Sequence, residues 1–342
     1  MRTATNTATE KKGLPQTFWF GAAFVLLVIS VLIGLCVGQF SITVPEIWEI
    51  VTGGLQDSME RRVFFTLRLP RVLMGLMAGL GLGLTGSIFQ TVFKNPLASP
   101  DIIGVAAGAN MGAAFAIVML GASTLSMMGG AFFGGILVVV CVLALVRVTP
   151  SQSTATYVLA GIVMSSLSKA VIMLLKYFAD PTNELAAIEY WTMGSLSNIT
   201  ATKVLYVLPL FLVSFIGLLL LRRQIDLMSL NEDECRMLGM PLHRVRLLIL
   251  VLCTLLVASI ISVTGLIAFV GLIAPHIARL MLRRNNFATS LMSALIGAVV
   301  MILSDTLARC LYSSEIPISI LTTLLGVPVL VYFMCKKGEN TP

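Results

Sequence analysis

Long apolar runs, separated by short polar turns, set the rhythm of this chain. A helix that crosses a bilayer needs roughly 20 mainly apolar residues. Runs of that kind fall at 18–38, 72–93, 102–121, 127–146, 155–178, 204–221, 247–264, 266–282, 287–308 and 316–335. The third and fourth come from one uncharged stretch, 102–146, too long for a single span and broken near Ser126–Gly130. The eighth carries His276 and Arg279 within it. The pattern predicts an all-α polytopic membrane protein with about ten transmembrane helices. Its parts are a tail at 1–17, one transmembrane domain at 18–335 and a tail at 336–342. The first apolar run exceeds the ~7–15 residues of a signal-peptide core, so it reads as a retained membrane helix.

Composition sharpens that picture. The chain has 342 residues, 57% hydrophobic and 11% charged, against about 25% charged in a water-soluble domain. It lacks the polar surface to cover itself in water, and lipid is its expected solvent. The net charge of +7 does not point to nucleic acid, because the cations sit in short gaps between apolar runs without interleaved aromatics. Six scattered cysteines without CxxC spacing read as helix-packing residues, and two histidines argue against a metal site built by the protein. Placing the N-terminus in the cytoplasm gives fourteen of the 23 lysines and arginines to inner segments and eight to outer ones, with Arg279 uncommitted. Cytoplasmic loops are the ones enriched in such residues, so both termini are expected inside.

The segment RLPRVLMGLMAGLGLGLTGSIFQ (68–90) sets two cations at the door of a long uncharged helix. Gly75, Gly79 and Gly83 recur every four residues and share one helical face. Close approach of another helix, driven by dispersion, is the reading for such a stripe. Arg68 and Arg71 fall on the outer side, at the expected start of this helix, where the helix dipole disfavours cations. Either they pair with nearby Asp57, Glu60 or Glu315, or they receive an acidic partner from outside through charge-assisted hydrogen bonds.

The longest inner loop, 222–246, reads as either a solvated connector or a docking element. Leu227, Leu230, Met237 and Leu238 are placed to form an apolar stripe on a short helix. Asn231, Glu232, Asp233 and Glu234 suit its first turn, and Gly239 then Pro241 suit its end. No Gly-Lys pair exists in the chain, so a phosphate-binding G-x-x-x-x-G-K-[ST] loop is excluded. Lys169 is the one cation deep in a span, either a functional charge or a side chain that snorkels. Thr85-Gly86 before Pro96 and Thr264-Gly265 before Pro275 share a ten-residue step. Five helices apart, such copies would be inverted relative to each other, as in repeat-built transporters.

Ordered blocks along nearly the whole chain carry a family resemblance. They are RLPR (68–71), G-x-x-x-Q ending at Gln90, NPLASPDIIGVAAGA (95–109), LAGI (159–162), W-x-x-GS (191–195) and GLIAFVGLIAPHIAR (265–279). D-x-x-x-R (305–309), E-x-P (315–317) and LLGVPV (324–329) complete the set. The chain resembles the permease subunits of iron-siderophore, haem and cobalamin ABC importers.

The resemblance implies a type II ABC importer permease fold with ten helices in the bacterial cytoplasmic membrane. It implies a second permease copy, forming a homodimer or pseudodimer, and two cytoplasmic ATP-binding subunits that hold ATP and magnesium. This chain itself would bind no cofactor and catalyse no reaction. An extracytoplasmic substrate-binding protein would dock on Arg68, Arg71 and Arg309, whose cations would face outward. Within a coupling loop at 224–243, Asn231, Glu232, Asp233, Glu234, Cys235, Arg236, Leu238 and Gly239 would pack into the ATPase and transmit its motion. Asn95, Pro96, Pro275, His276, Arg279, Asp305 and Pro317 match structural positions of the family motifs, and Ser153 and Thr154 match the region of an inner gate. The chain departs from the family at Asn231, Cys235 and Ser319, where glycine, alanine and glycine are common, and Ala155 replaces a hydroxyl. The implied cargo is a ferric siderophore, with haem or cobalamin as the alternative. An ion-coupled secondary transporter acting alone would instead need titratable residues buried in several helices, and an intramembrane enzyme would need a converging nucleophile and base.

Overall fold

A computed structural model describes residues 15–54, 58–150, 153–311 and 315–338. The described residues form helices joined by short turns. In chain order they are α1 (Gln16–Cys36), α2 (Val44–Thr52), α3 (Met59–Val63), α4 (Leu69–Val92), α5 (Val105–Met119) and α6 (Thr124–Val148). There follow α7 (Thr154–Phe178), α8 (Glu184–Thr192), α9 (Ala201–Leu220), α10 (Arg222–Leu227) and α11 (Glu232–Met237). The chain then continues through α12 (Leu242–Thr264), α13 (Val270–Leu282), α14 (Phe287–Cys310) and α15 (Ile318–Gly338). Among the described residues, seven helical stretches are long and apolar enough to cross a membrane, and three shorter apolar helices, α5, α13 and the start of α15, fall within other expected spans.

The second apolar segment departs from expectation at its start. Its helix begins at Met59, not near residue 72, running through α3 and a wide π-turn at Phe64–Arg68 directly into α4. Proline inside a helix removes a hydrogen bond and clashes with the carbonyl four residues earlier. The π-turn lies immediately before Pro70, where a widened turn relieves that conflict. Arg68 and Arg71 therefore stand within a continuous helix rather than at its start, and the argument from an N-terminal dipole does not apply to them.

The central helix is α4, buried on nearly all sides. Its small-residue face meets α14, where a Cβ added at Gly79 would collide with the backbone of Gly297 and Ala298, and one at Gly83 with the carbonyl of Ser293. Ser293 Oγ donates to the Gly83 carbonyl at 2.7 Å, and the Ser87 and Ser290 hydroxyls meet at 2.8 Å. Gly75 differs from the rest of its stripe, since a Cβ there would meet only Leu196 and Ile302 side chains at 3.6 and 3.8 Å. Apolar burial drives little association between helices in lipid, so small residues and interhelical hydrogen bonds carry the contact instead.

Two pieces of the fold repeat a helix pattern. A long helix, a break, a short helix and a long helix occur as α4, 93–104, α5 and α6, and again as α12, 265–269, α13 and α14. Both short helices are entered through a left-handed residue, Gly104 (φ 79°) and Phe269 (φ 67°). The ten-residue echo does not mark this repeat. Gly86 lies inside α4 whereas Gly265 ends α12, and Pro96 lies in a break whereas Pro275 lies inside α13.

Candidate functional site

Polar side chains concentrate at the two ends of the bundle. At the end where α14 finishes, Arg71 on α4 donates through Nε to both carboxylate oxygens of Asp305 on α14, at 2.9 and 3.1 Å. Its Nη1 donates to Glu315 Oε1 at 2.7 Å. Arg309, one turn beyond Asp305, approaches the same carboxylate at 3.2 Å and donates through Nη2 to the Gly34 carbonyl at 3.0 Å. Arg68 is held by backbone, donating to the carbonyls of Val37 and Phe40, and its guanidinium fills the space that a side chain at Gly38 would need.

Arg71 and Arg309 thus share the Asp305 carboxylate, with Glu315 pairing Arg71 and Arg68 standing beside them on backbone carbonyls. All three arginines are buried, at 5%, 7% and 5% exposure for Arg68, Arg71 and Arg309. The outward-facing cations expected from sequence are not what this conformation contains. The pairing reading holds in part: Glu315 is a partner of Arg71, Glu60 pairs with neither arginine among the described residues, and Asp57 lies outside them. Asp305, expected only as a structural motif position, is the hub of the cluster, joining Arg71 to Arg309. Two atoms in it, Arg309 Nη1 and Glu315 Oε2, are buried without a hydrogen-bond partner among the described residues.

A second polar network ties α4 to α13. Arg279 donates to Gln90 Oε1, and Gln90 Nε2 approaches the Leu272 carbonyl at 3.5 Å. His276 Nδ1 lies 2.7 Å from the same carbonyl. Pro275 has no N–H to offer Gly271, whose carbonyl instead abuts Gly86 so closely that a Cβ there would overlap it. Of these partners, Gly271 escaped notice in the sequence although it lies in a family block, and Gly86 figures there only as part of the ten-residue echo. Ser319, a departure from the family pattern, accepts from Ala268 N–H at 3.4 Å and donates to the Leu266 carbonyl at 2.6 Å, pinning the break before α13 to α15. Pro317 precedes α15, its carbonyl accepting from Ile320 N–H.

At the opposite end, α11 is a single short helix anchored from behind. Asn231 and Glu234 cap it reciprocally, the Glu234 carboxylate accepting from the Asn231 N–H at 2.9 Å. Glu232 takes a 2.6 Å ion pair from Arg246 on α12, and this hydrogen bond holds its carboxyl below the usual carboxylate value. Cys235 is buried, its thiol donating to the Leu227 carbonyl at 3.1 Å, and Lys94 donates to the Leu230 carbonyl at 2.5 Å. Gly239 ends the helix in the left-handed region at φ 74°. The expected apolar stripe is divided. Leu227 packs inward, while Met237 and Leu238 stand 88% and 61% exposed beside exposed Leu230, Asp233 and Arg236.

The other expected residues have local roles. Asn95 accepts from Leu97 N–H at 2.9 Å, shaping the exposed turn that contains Pro96. Ser153 caps α7 by accepting from Thr156 N–H, and Thr154 is the first helical residue. Lys169 stands on the exposed face of α7. Asp101, part of a quoted block but not singled out in the sequence, lines a cavity of about 190 Å³ with Ser99, Ile261 and Phe269.

Comparison with known proteins gives a consistent result. The model of the FecCD transport family matches residues 26–336. The molybdate import system permease protein of Haemophilus influenzae is 38% identical, covering 92% of this chain and 96% of that protein. The hemin transport system permease protein of Yersinia pestis is 32% identical, covering 94% and 96%. A solved structure of a transporter described as a metal-chelate type ABC transporter, in an inward-facing conformation, superposes with a TM-score of 0.83 at 33% identity, covering 94% of this chain and all of that one.

Proposed function

The chain belongs to the FecCD transport family as an ABC importer permease, and from that premise we propose that its cargo is a metal chelate of the ferric-siderophore class. The observation that carries this reading is the whole-length structural match to a transporter of metal-chelate type. The chain would work as one of two permease copies in the bacterial cytoplasmic membrane, with cytoplasmic N- and C-termini, above two ATP-binding subunits and beneath an extracytoplasmic binding protein. ATP and magnesium would be held by the ATP-binding subunits.

Two elements are suited to those contacts. The exposed Met237 and Leu238 on a helix fixed from behind form a small apolar knob for an ATPase cleft. Counting Arg68, held beside Arg71, Arg309, Asp305 and Glu315 by backbone carbonyls, the five side chains set three cations against two anions, a net charge of +1, which suits an acidic docking partner that approaches through Glu315. Motion passes between the two ends only insofar as each partner binds one conformation better than the other.

Molybdate is a second reading, favoured by the 38% identity to a molybdate permease. Relatives named for an oxyanion, haem, iron chelates and cobalamin lie between 30% and 38% identity. That narrow range supports a permease body whose cargo is chosen chiefly by the binding protein. The deciding experiment is uptake into vesicles containing the assembled importer with its own binding protein and ATP, supplied with labelled ferric siderophore, haem, cobalamin or molybdate. Saturable uptake of the ferric chelate is expected. Uptake of molybdate alone would overturn the chelate reading in favour of the second.

A further inference from the structure

Two neighbouring cavities lie between α6 and α9 over the surface of α12, and they share Met128 and Ser262. The first, of about 370 Å³, sits beneath α8 at the end of the bundle where α6 and α9 begin. Its wall is polar. Tyr190, Ser195 and Ser197 hydroxyls join at 2.8 to 3.3 Å, and Lys203 Nζ donates to the Asn198 carbonyl at 2.7 Å. An ammonium carries three donors, so that bond leaves two for a ligand. The second cavity, about 280 Å³, is walled by Leu125, Met128, Phe132, Tyr206 and Leu210. Together the two cavities follow α9 inward from Lys203 to Leu210, a depth of about 10 Å at the rise of an α-helix.

Charge and shape point the same way. No carboxylate lines either cavity among the described residues, and Lys203 is the cation present. Lys203 lies in the first turn of the 20-residue α9, where it adds to the positive end of the helix dipole. That arrangement is unfavourable until an anion neutralises it. The rims of the apolar arm, Leu125 and Tyr206, are exposed on the bundle's side. The cleft therefore offers a polar, cationic mouth at the level of the helix ends and an apolar trough running along the helices.

We propose that this cleft binds one anionic phospholipid, with its phosphate at Lys203 and the hydroxyl cluster and an acyl chain between α6 and α9. A lipid matches both arms at once, whereas a soluble anion would leave the apolar trough empty.

The test is lipid retention by the assembled importer in nanodiscs of mixed phosphatidylglycerol and phosphatidylethanolamine, read by native mass spectrometry after detergent exchange. The wild-type importer should retain phosphatidylglycerol preferentially. Lys203→Gln should lower that preference about fivefold, the effect of one lysine near an anionic surface, and Lys203→Arg should restore it. Gly129 borders the apolar trough and has nothing within 4 Å of an added Cβ. Gly129→Leu should therefore fill the trough and reduce retention of both lipids without disturbing the fold. Unchanged retention and preference in Lys203→Gln and Gly129→Leu would overturn the proposal. So would displacement of the retained lipid by molybdate or a ferric siderophore at cargo concentrations, which would make the cleft a cargo site.

Discussion

Arg71 grips Asp305 through a single nitrogen that reaches both carboxylate oxygens, joining α4 to α14 at a buried point between two helices. Asp305 also faces Arg309, so its charge balances two guanidiniums. Breaking a buried pair by removing one partner typically costs about 3–5 kcal/mol, because the remaining charge is stranded. Asp305→Asn should accordingly lower the thermal midpoint of the assembled importer strongly, as followed by size-exclusion fluorescence after heating. A midpoint equal to wild type would show that the cluster contributes little to the fold.

The glycine stripe makes a sharper comparison within one helix. At Gly79 a methyl group would strike the backbone of Gly297 and Ala298, while at Gly75 it would meet flexible side chains at ordinary distance. Overpacking costs about 1–3 kcal/mol. Gly79→Ala should reduce stability by that order and Gly75→Ala should leave it near wild type. Equal effects at the two positions would contradict the α4–α14 contact described above.

These two cases show what the sequence could and could not convey. Four-residue spacing revealed a shared helical face at Gly75, Gly79 and Gly83, but not where the neighbouring helix crosses it. Charge patterning placed Arg68, Arg71 and Arg309 at one end of the bundle, yet gave no depth, because burial depends on Val37, Phe40 and Gly34 from a distant segment. The apolar runs located the spans, while the breaks before α5 and α13 depend on left-handed residues at Gly104 and Phe269. A glycine hints at such a conformation; a phenylalanine, for which it is uncommon, gives no warning. The motif blocks carried the family in full, since they require only residue identity and order.

Docking by the arginine cluster is best probed without touching the buried cations. Glu315 is the more exposed carboxylate, at 31% against 5% for the Asp305 side chain. Glu315→Gln would raise the cluster from a net +1 to +2. An acidic binding protein that docks there should then bind more tightly, with a steeper dependence on salt. Surface-plasmon measurements at two salt concentrations would register both changes. Affinity that is unaltered, or weaker, would place docking elsewhere.

Acidity should loosen the base of α11. The Arg246 hydrogen bond keeps the folded-state pKa of Glu232 below its ordinary 4.5. A depressed carboxylate adds stability that is present above its unfolded pKa and disappears as pH falls through the folded value. Amide exchange at 231–239, corrected for its intrinsic pH dependence, should show protection constant from neutral pH down to about 5 and falling below 4.5. Glu232→Gln should lack that fall. If the variant behaves as wild type does, the ion pair does not secure the helix.

The exposed tip of α11 can be altered with little internal cost. Met237 and Leu238 stand 88% and 61% exposed, while the helix is anchored by Cys235 and by the Glu232–Arg246 pair on its other side. Substitutions at exposed positions away from such anchors usually change stability by within about 0.5 kcal/mol. Met237→Asp with Leu238→Asp should therefore leave the isolated permease as stable as before. An apolar anchor seated in a partner's cleft behaves differently, since truncating such a residue commonly costs about 2 kcal/mol or more of binding. Adding charge there also brings the cost of desolvating a carboxylate. ATP-driven uptake should consequently fall at least tenfold, together with co-purification of the ATP-binding subunits. Full uptake by the double variant would mean that the drive from ATP reaches the helices by some other contact.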